Sequence, residues 1–297
     1  WLKTADSLAE QLLNNEDARL REAIQKAGKS NTSALRPWAR LQNVQGGLAP
    51  AWEREYSEFQ QSRKRLEARR QTRGALGPAW FSPAGKGFDW WPKAGTGFGD
   101  HAAPGGSFSI LTSGDRILDR ILPGGAYTHL RSTKDGGFLT TPRFQFTEGD
   151  VWIRAIGDQT TLRYVVWGYP RRGTVYPKGG AKKDNFAWQR WNTKYWAGDT
   201  GYLEATTSRD APIEAGGAER SWFGVTEALV TAPGQPAPQD ETAEATAPLF
   251  EQPAPGDLGE LAQLYADTLR GILRKWEQNA NLADAEANFL NTFVRAG

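Results

Sequence analysis

The chain has 297 residues, which is enough to bury a sizeable core and to form one to three domains. Its 36 basic and 34 acidic residues give a formal charge of +2, too balanced to draw the whole molecule to nucleic acid or to an anionic membrane. The absence of cysteine excludes disulfides, thiolate nucleophiles and cysteine-ligated zinc or haem, and no apolar run reaches the roughly 18 residues of a membrane-spanning helix.

Residues 1–76 are predicted to form a helical segment. Apolar side chains recur there at steps of three, four and seven residues, as on one face of an amphipathic helix: Leu8 and Leu12, Leu20 and Ile24, and Trp52, Tyr56, Phe59 and Leu66. The end of this segment, SRKRLEARRQTRG, carries six basic residues and one acid. Such a stretch either complements the carboxyl end of a helix as a solvated face or contacts phosphates or anionic glycans.

Residues 77–232 are predicted to form an antiparallel β-sandwich or jelly roll. The hydrophobic period falls to two in VWIRAIG, TLRYVVWGY, GYLEATT and WFGVTEALV, and Gly, Pro and Asp turns separate these stretches. A parallel sheet is disfavoured because no helical pattern lies between the strands. The fold class is therefore predicted as α+β and multidomain, with the sandwich flanked by helical segments.

Residues 233–256 are predicted to be an extended, acidic, proline-rich linker. The surrounding stretch TAPGQPAPQDETAEATAPLFEQPAPGD contains six prolines and five acids and no basic residue. A C-terminal helical segment follows over 257–297, because apolar residues again recur at three and four: Leu258, Leu261, Tyr265, Leu269, Ile272 and Trp276. Whether the two helical ends pack on one another stays open at this stage.

Four stretches of the chain carry a resemblance to a known kind of protein. They are RILPGGAYTHLRSTKDGGFLTTPRF, LRYVVWGYPRRGTVYP, WQRWNTKYWAGDTGYLEATTSRDAPI and RSWFGVTEALV, in that order, followed by the segment from LAQLYADTLRGILRKW to the end. Together they resemble the central region of large planctomycetal multidomain proteins, which join a c-type cytochrome domain to domains of unknown function. The resemblance spans roughly residues 77–297.

This resemblance implies a β-sandwich similar to carbohydrate-binding or galactose-binding-like modules. It also implies an exported protein, periplasmic or extracellular, whose haem domain lies outside this segment, and it implies no catalytic residue. The sequence begins at Trp1 and contains no methionine, so we expect a segment of a longer chain, with no signal peptide visible. Neighbouring domains of that longer chain are expected partners.

Two aromatic stretches are the best candidates for a ligand site. Sugars present a flat face of C–H groups rimmed by hydroxyls, which aromatic rings can stack on and which the multi-donor guanidinium of arginine can hydrogen-bond. WGYPRRGTVYP and WNTKYWAGD hold such residues on predicted loops of the sandwich. The predicted ligand-binding residues are Trp167, Tyr169, Arg171, Arg172, Tyr176, Trp191, Tyr195 and Trp196.

The same aromatic residues are also what a sandwich core requires. Trp152, Trp188 and Trp222 lie within strand patterns and are predicted to be core residues. For Trp191 and Trp196, burial and exposure both stay open.

No catalytic or metal site is predicted. His101 and His129 do not form a ligand spacing, and His129 is expected to be a hydrogen-bonded structural residue. A polysaccharide hydrolase would need two nearby carboxylates, and the acids that could supply them are Asp199, Glu204, Asp210, Glu214 and Glu219. No cofactor is expected within the segment, although the turns near Asp199 and Asp210 leave a structural Ca²⁺ open.

Three functions follow from these patterns. The first is a non-catalytic module that binds glycan or another small ligand. The second is a structural scaffold that positions neighbouring domains, and the third is a hydrolase that uses a carboxylate pair. Rings of Trp167, Tyr169 and Trp196 that lie open in a concave groove would favour the binding module, and rings covered by the helices would favour the scaffold.

Overall fold

The computed structural model describes residues 2–30, 32–45, 47–75, 88–111, 114, 117–169, 178–208, 219–238 and 242–296. The chain forms two compact units: a helical unit of Trp1–Arg69, Gly105–Pro123 and Asp240–Gly297, and a sandwich unit of Arg70–Pro104 and Gly124–Gln239. The helices are α1 Leu2–Asn14, α2 Ala18–Ala27, α3 Arg36–Leu41, α4 Leu48–Ala75, α5 Thr242–Phe250, α6 Leu258–Glu277 and α7 Asp284–Ala296. None of these described helices is long and apolar enough to cross a membrane.

Aspartate side chains cap two helices of the helical unit. The Asp17 carboxylate accepts hydrogen bonds from the backbone N–H groups of Arg19 and Leu20 at the start of α2. Asp257 caps α6 in the same way by accepting from the N–H of Glu260 at 2.8 Å. The apolar positions of α6 then fall on one buried face: Leu261, Tyr265, Leu269, Ile272 and Leu273.

Helices from the two ends of the chain pack on one another. α1 lies against α6, and the fully buried Tyr265 of α6 joins them to the connecting segment. Its hydroxyl donates to the carbonyl of Ala34 at 2.8 Å and accepts from the N–H of Trp38 at 3.1 Å. The sequence left open whether the two helical ends pack together. They do, through contacts between residues far apart in the chain, which a local sequence pattern does not predict.

The structure differs from the predicted linker over 233–256. Residues 242–250 form α5, and Phe250 packs its ring on Trp52 and Phe59 at centroid distances of 4.8 and 4.9 Å. The prolines and acids suggested an extended chain, but TAEATAPLF also carries the apolar side chains Ala245, Leu249 and Phe250, which are buried in the helical core. Burial of these side chains outweighs the cost of Pro248 inside a helix.

A second boundary also differs from the predicted sandwich over 77–232. Residues 105–123 belong to the helical unit, where β2 Ser107–Ile110 and β3 Leu118–Leu122 form an antiparallel pair. The side chain of Asn291 on α7 holds β3 by accepting from the N–H of Ile121 at 2.8 Å and donating to its carbonyl at 2.5 Å. The antiparallel pair of β2 and β3 is thus attached to the helical unit by the side chain of Asn291, which is far away in sequence.

The sandwich unit consists of two antiparallel sheets, as predicted. Its strands are β1 Lys93–Ala94, β4 Ala126–Tyr127, β5 Phe138–Thr140, β6 Phe144–Gln145, β7 Asp150–Asp158, β8 Thr160–Val166, β9 Ala187–Asn192, β10 Thr200–Thr207 and β11 Trp222–Thr231. One sheet has the order β1-β5-β10-β6 with β8 also paired to β10, and the other has the order β4-β11-β7-β9. From β6 to β11 consecutive strands alternate between the sheets, which is the connectivity of a jelly roll.

Both sheets share one apolar core. Val151, Ile153 and Ala155 of β7 face it, in agreement with the alternation in VWIRAIG. Trp152 and Trp222 are buried as predicted, and Trp188 is half-buried. His129 is buried as well, and its ring contacts that of Trp222 at a centroid distance of 4.0 Å and an interplanar angle of 39°.

One ion pair is buried within the β8–β10 ladder. Arg163 of β8 and Glu204 of β10 are direct cross-strand partners, and the guanidinium Nε donates to the carboxylate at 2.6 Å. Both side chains are almost fully buried. Because a buried charge is costly when it is unpaired, this contact favours the observed register of the two strands that support the aromatic turns described next.

Candidate aromatic binding site

The first aromatic stretch forms a tight turn at the end of β8. The N–H of Tyr169 donates to the carbonyl of Val166 at 3.4 Å, and Gly168 has a φ of +84°. Positive φ at this third residue is the requirement of a type II turn, and glycine meets it without steric cost. The turn therefore holds both Trp167 and Tyr169 at the end of β8.

The second aromatic stretch forms a turn of the same kind before β10. Tyr195 and Trp196 lie in a short 3-10 turn, Lys194–Trp196, and the N–H of Asp199 then donates to the carbonyl of Trp196 at 2.9 Å. Ala197 has φ −57° and ψ 126°, and Gly198 has a φ of +94°, which are the values of a type II turn. Glycine is again at the position that needs positive φ.

Strand pairing brings the two turns to one end of β10. Val166 and Gly201 are cross-strand partners, and the N–H of Trp167 donates to the carbonyl of Thr200 at 2.7 Å. A β-carbon at Gly201 would collide with the ring of Phe146, so the close approach of backbone to ring at this point requires glycine. The turns at 166–169 and 196–199 are thus neighbours in space.

Trp196 lies at the centre of the resulting cluster. Its indole is 9% exposed, and its Nε1–H donates to the buried hydroxyl of Tyr164 at 3.1 Å. The rings of Tyr169 and Tyr195 contact Trp196 edge-on, at centroid distances of 5.1 and 4.8 Å and interplanar angles of 71° and 89°. The buried Trp196 ring therefore packs against the more exposed rings of Tyr169 and Tyr195.

Three of the predicted rings are exposed. Trp167 is 53% exposed, Tyr169 49% and Tyr195 86%, in contrast to the buried tryptophans of the sheets. We call these three side chains the aromatic face. Tyr169 and Tyr195 meet through Trp196, and Trp167 belongs to the same turn as Tyr169. Exposed aromatic side chains grouped in this way are typical of binding surfaces.

Two predicted site residues have a different position. Trp191 is 4% exposed and packs in the sandwich core against Tyr164 at a centroid distance of 6.5 Å, so it presents no face to a ligand. Its place in β9 follows from the strand alternation, which puts the ring on the inner side. Trp196 is buried too and supports the aromatic face. Arg171, Arg172 and Tyr176 lie outside the described residues.

The sequence did not indicate Arg143, which precedes β6. Its guanidinium carbon lies 3.1 Å from the centroid of the Trp167 ring, in a cation–π contact. Gly201 pairs with Phe144 on one side and Val166 on the other, so Arg143 reaches across β10 to Trp167. Arg143 and Trp167 come together only because of this strand order, and no local sequence motif predicts their contact. Trp90, another exposed indole of the sandwich unit, was not predicted either.

The acids considered for a hydrolase differ in burial and in their partners. Glu204 is buried in its pair with Arg163, Glu219 pairs with Lys134 at 2.5 Å, and Asp199 is exposed on the second turn. Asp210 and Glu214 lie outside the described residues. Within the described part of the chain, no three His, Asp or Glu side chains are grouped closely enough to hold a metal ion.

No family profile and no curated protein matches the chain, so the resemblance to planctomycetal multidomain proteins stays a prediction. Among solved structures, the chain is similar to TmCBM61 in complex with beta-1,4-galactotriose, at 10% identity and a TM-score of 0.32, over 52% of this chain and 99% of that one. It is similar to the glycoside hydrolase domain of Endo-D (Spr0440) from Streptococcus pneumoniae R6, at 9% identity and a TM-score of 0.28, over 49% of this chain and 22% of that one.

A third likeness is to the K1 cleaved adhesin domain of Lys-gingipain from Porphyromonas gingivalis W83, at 11% identity and a TM-score of 0.26. It covers 48% of this chain and 91% of that one. TM-scores of this size carry no argument about ligand, and the β-sandwich assignment rests on the strand pairing above.

Proposed function

We propose that the sandwich unit is a carbohydrate-binding module and that the aromatic face receives the sugar. The observation that carries this proposal is the exposure of Trp167, Tyr169 and Tyr195 at one end of β10. A pyranose ring offers a flat patch of C–H groups, which gains contact area and loses water when it stacks on an aromatic ring.

The rigidity of the face supports the proposal. Each turn is fixed by a backbone hydrogen bond and by a glycine with positive φ, and the two tyrosine rings are held edge-on by Trp196. A rigid aromatic side chain loses few torsions when a ligand binds, so more of the contact energy remains as affinity. A loose loop of the same composition would lose that advantage.

Titration of the protein with neutral and acidic oligosaccharides, followed by tryptophan fluorescence and calorimetry, tests the proposal. We expect a saturable signal for at least one oligosaccharide. Tyr195→Ala removes the most exposed ring and should weaken that binding by about 2- to 10-fold, the factor that corresponds to one aromatic contact of about 0.5–1.5 kcal/mol. Trp167→Ala combined with Tyr169→Ala should weaken it further.

Ile117→Ala is the matched control, because Ile117 is a highly exposed apolar residue of the helical unit. It should leave oligosaccharide binding unchanged. If no sugar in the panel produces heat or a fluorescence change, the proposal is wrong, and the alternative in which the rings contact a neighbouring domain gains support.

A further inference from the structure

We propose that the sugar bound at the aromatic face carries an anionic substituent and that Arg143 recognises it. This inference rests on the proposed function and adds the chemical class of the ligand. The shared chemistry is a carboxylate or sulfate ester on a sugar ring, and the experiment below distinguishes the two sources.

The first support is the way in which Arg143 is held. Its guanidinium carbon lies 3.1 Å from the centroid of the Trp167 ring. The backbone of Trp167 is held by the hydrogen bond from its backbone N–H to the carbonyl of Thr200. Contact with the ring restricts where the guanidinium lies. Its N–H donors form a planar fork that matches two oxygens of an anion.

The second support is the charge of Arg143. Two other arginines of the sandwich unit have carboxylate partners: Arg163 pairs with Glu204, and Arg190 pairs with Asp150 at 2.9 Å. Arg143 pairs with no carboxylate in the described part of the chain, and its only described contact is the ring of Trp167. The cation is positioned by an uncharged ring, so its charge is still available to a ligand.

The exposed charges near the aromatic face are of both signs. Lys194 is exposed on the turn that carries Tyr195 and pairs with no described carboxylate, whereas Asp199 is exposed on the same turn with the opposite sign. Glu148 is exposed too, between Thr147 and Gly149, whose carbonyls accept hydrogen bonds from the Thr193 hydroxyl next to Lys194. The two cations and the two acids balance, so a preference for an anionic sugar comes from the positioned guanidinium of Arg143, and it weakens as salt is added.

The test compares ligands that differ only in charge. Binding of trigalacturonate is measured against its full methyl ester, and a sulfated galactan oligosaccharide against its desulfated form, by calorimetry at 50 and 300 mM NaCl. We expect at least one anionic member to bind about 10-fold more tightly than its neutral partner at low salt, with the preference reduced at high salt. Which pair shows the preference identifies the anionic group.

Variants then assign the preference to Arg143. Arg143→Gln should remove the preference while leaving affinity for the neutral partner within about 3-fold, and Arg143→Lys should retain part of it because the charge stays and the fork is lost. Lys182→Gln is the control, since Lys182 is an exposed cation near the Thr160 end of β8, away from the aromatic face. It should leave the preference unchanged.

Two results would overturn the inference while the proposed function stands: equal affinity for charged and neutral partners, or an anion preference that survives in Arg143→Gln. Absence of binding by every ligand, charged and neutral, would instead overturn the proposed function itself.

Discussion

The indole N–H of Trp196 donates a hydrogen bond to the hydroxyl of Tyr164 across 3.1 Å, and both groups are buried. Tyr164 lies in β8 among the core residues, where its ring also contacts Phe146 and Trp191. Trp196, which the rings of Tyr169 and Tyr195 contact, is thus part of the sandwich core and is also held there by a hydrogen bond. Rings at a surface keep a fixed position when the ring beneath them is fixed.

Tyr164→Phe should destabilise the sandwich unit by about 1–3 kcal/mol, because the buried indole N–H of Trp196 loses its acceptor. Urea unfolding followed by near-ultraviolet circular dichroism measures this loss. Tyr195→Phe is the matched control: Tyr195 is highly exposed, and its hydroxyl is solvated. Equal stability of the Tyr164→Phe variant and the native protein would contradict a structural role for the hydrogen bond.

Gly168→Ala should reduce the free energy of sugar binding by more than it reduces the free energy of unfolding. A β-carbon at Gly168 meets no atom within 4 Å, but the φ of +84° costs an L-residue about 1–2 kcal/mol. Relaxation of that strain turns Trp167 and Tyr169 away from their positions. Calorimetry on Gly168→Ala and Gly168→Asn separates the effects, since asparagine tolerates positive φ and should keep the affinity. Comparable losses in both variants would show that the turn type is irrelevant.

Glu204→Gln should destabilise the sandwich unit by about 3–5 kcal/mol, since it leaves the Arg163 charge buried without its partner. The double variant Arg163→Met with Glu204→Leu should recover much of this loss, because it removes both charges. Glu219→Gln, which breaks the exposed pair with Lys134, should cost less than about 1 kcal/mol. Urea midpoints and slopes measure all three, and similar losses for Glu204→Gln and Glu219→Gln would refute the argument.

Acid should weaken the helical unit through Glu58. Burial pushes the pKa of Glu58 upward, but hydrogen bonds and charges from Arg36 and Arg40 outweigh this and hold the pKa below its usual range. A lowered native pKa means that the stabilisation is complete above the unfolded value of about 4.3 and is lost as the pH falls through the native value.

Thermal unfolding between pH 6 and pH 2 tests this expectation. Glu58→Gln should be less stable than the native protein at pH 6 and should lose less stability on acidification. Glu53→Gln, at an exposed acid of the same helix, should follow the native curve. Parallel curves for Glu58→Gln and the native protein would show that Glu58 contributes nothing.

The sequence predicted the sandwich well because alternation is a local property. VWIRAIG and TLRYVVWGY became β7 and β8 with the expected faces toward the core. Residues 242–250 were mispredicted because proline content was weighed above the apolar side chains of TAEATAPLF, whose burial depends on distant partners such as Trp52. Residues 105–123 show the same limit, since Asn291 decides where they pack.

The candidate site was predicted in part. Trp167, Tyr169 and Tyr195 could be proposed from composition near turns, and the structure places them at one end of β10. Trp191 could not be separated from them, because a strand and a loop with the same aromatic content look alike until register is known. Arg143 was out of reach, since its contact with Trp167 exists only through the order of β6, β10 and β8.

The packing of α1 against α6 has a consequence for biosynthesis. The helices α1 and α2 are synthesised before α5 and α6, which help to cover their apolar faces. At roughly 5–20 residues per second, translation of the intervening strands takes on the order of ten seconds. The strands of the sandwich are therefore synthesised before the helical unit can close, and the apolar faces of α1 and α2 stay partly uncovered during that time.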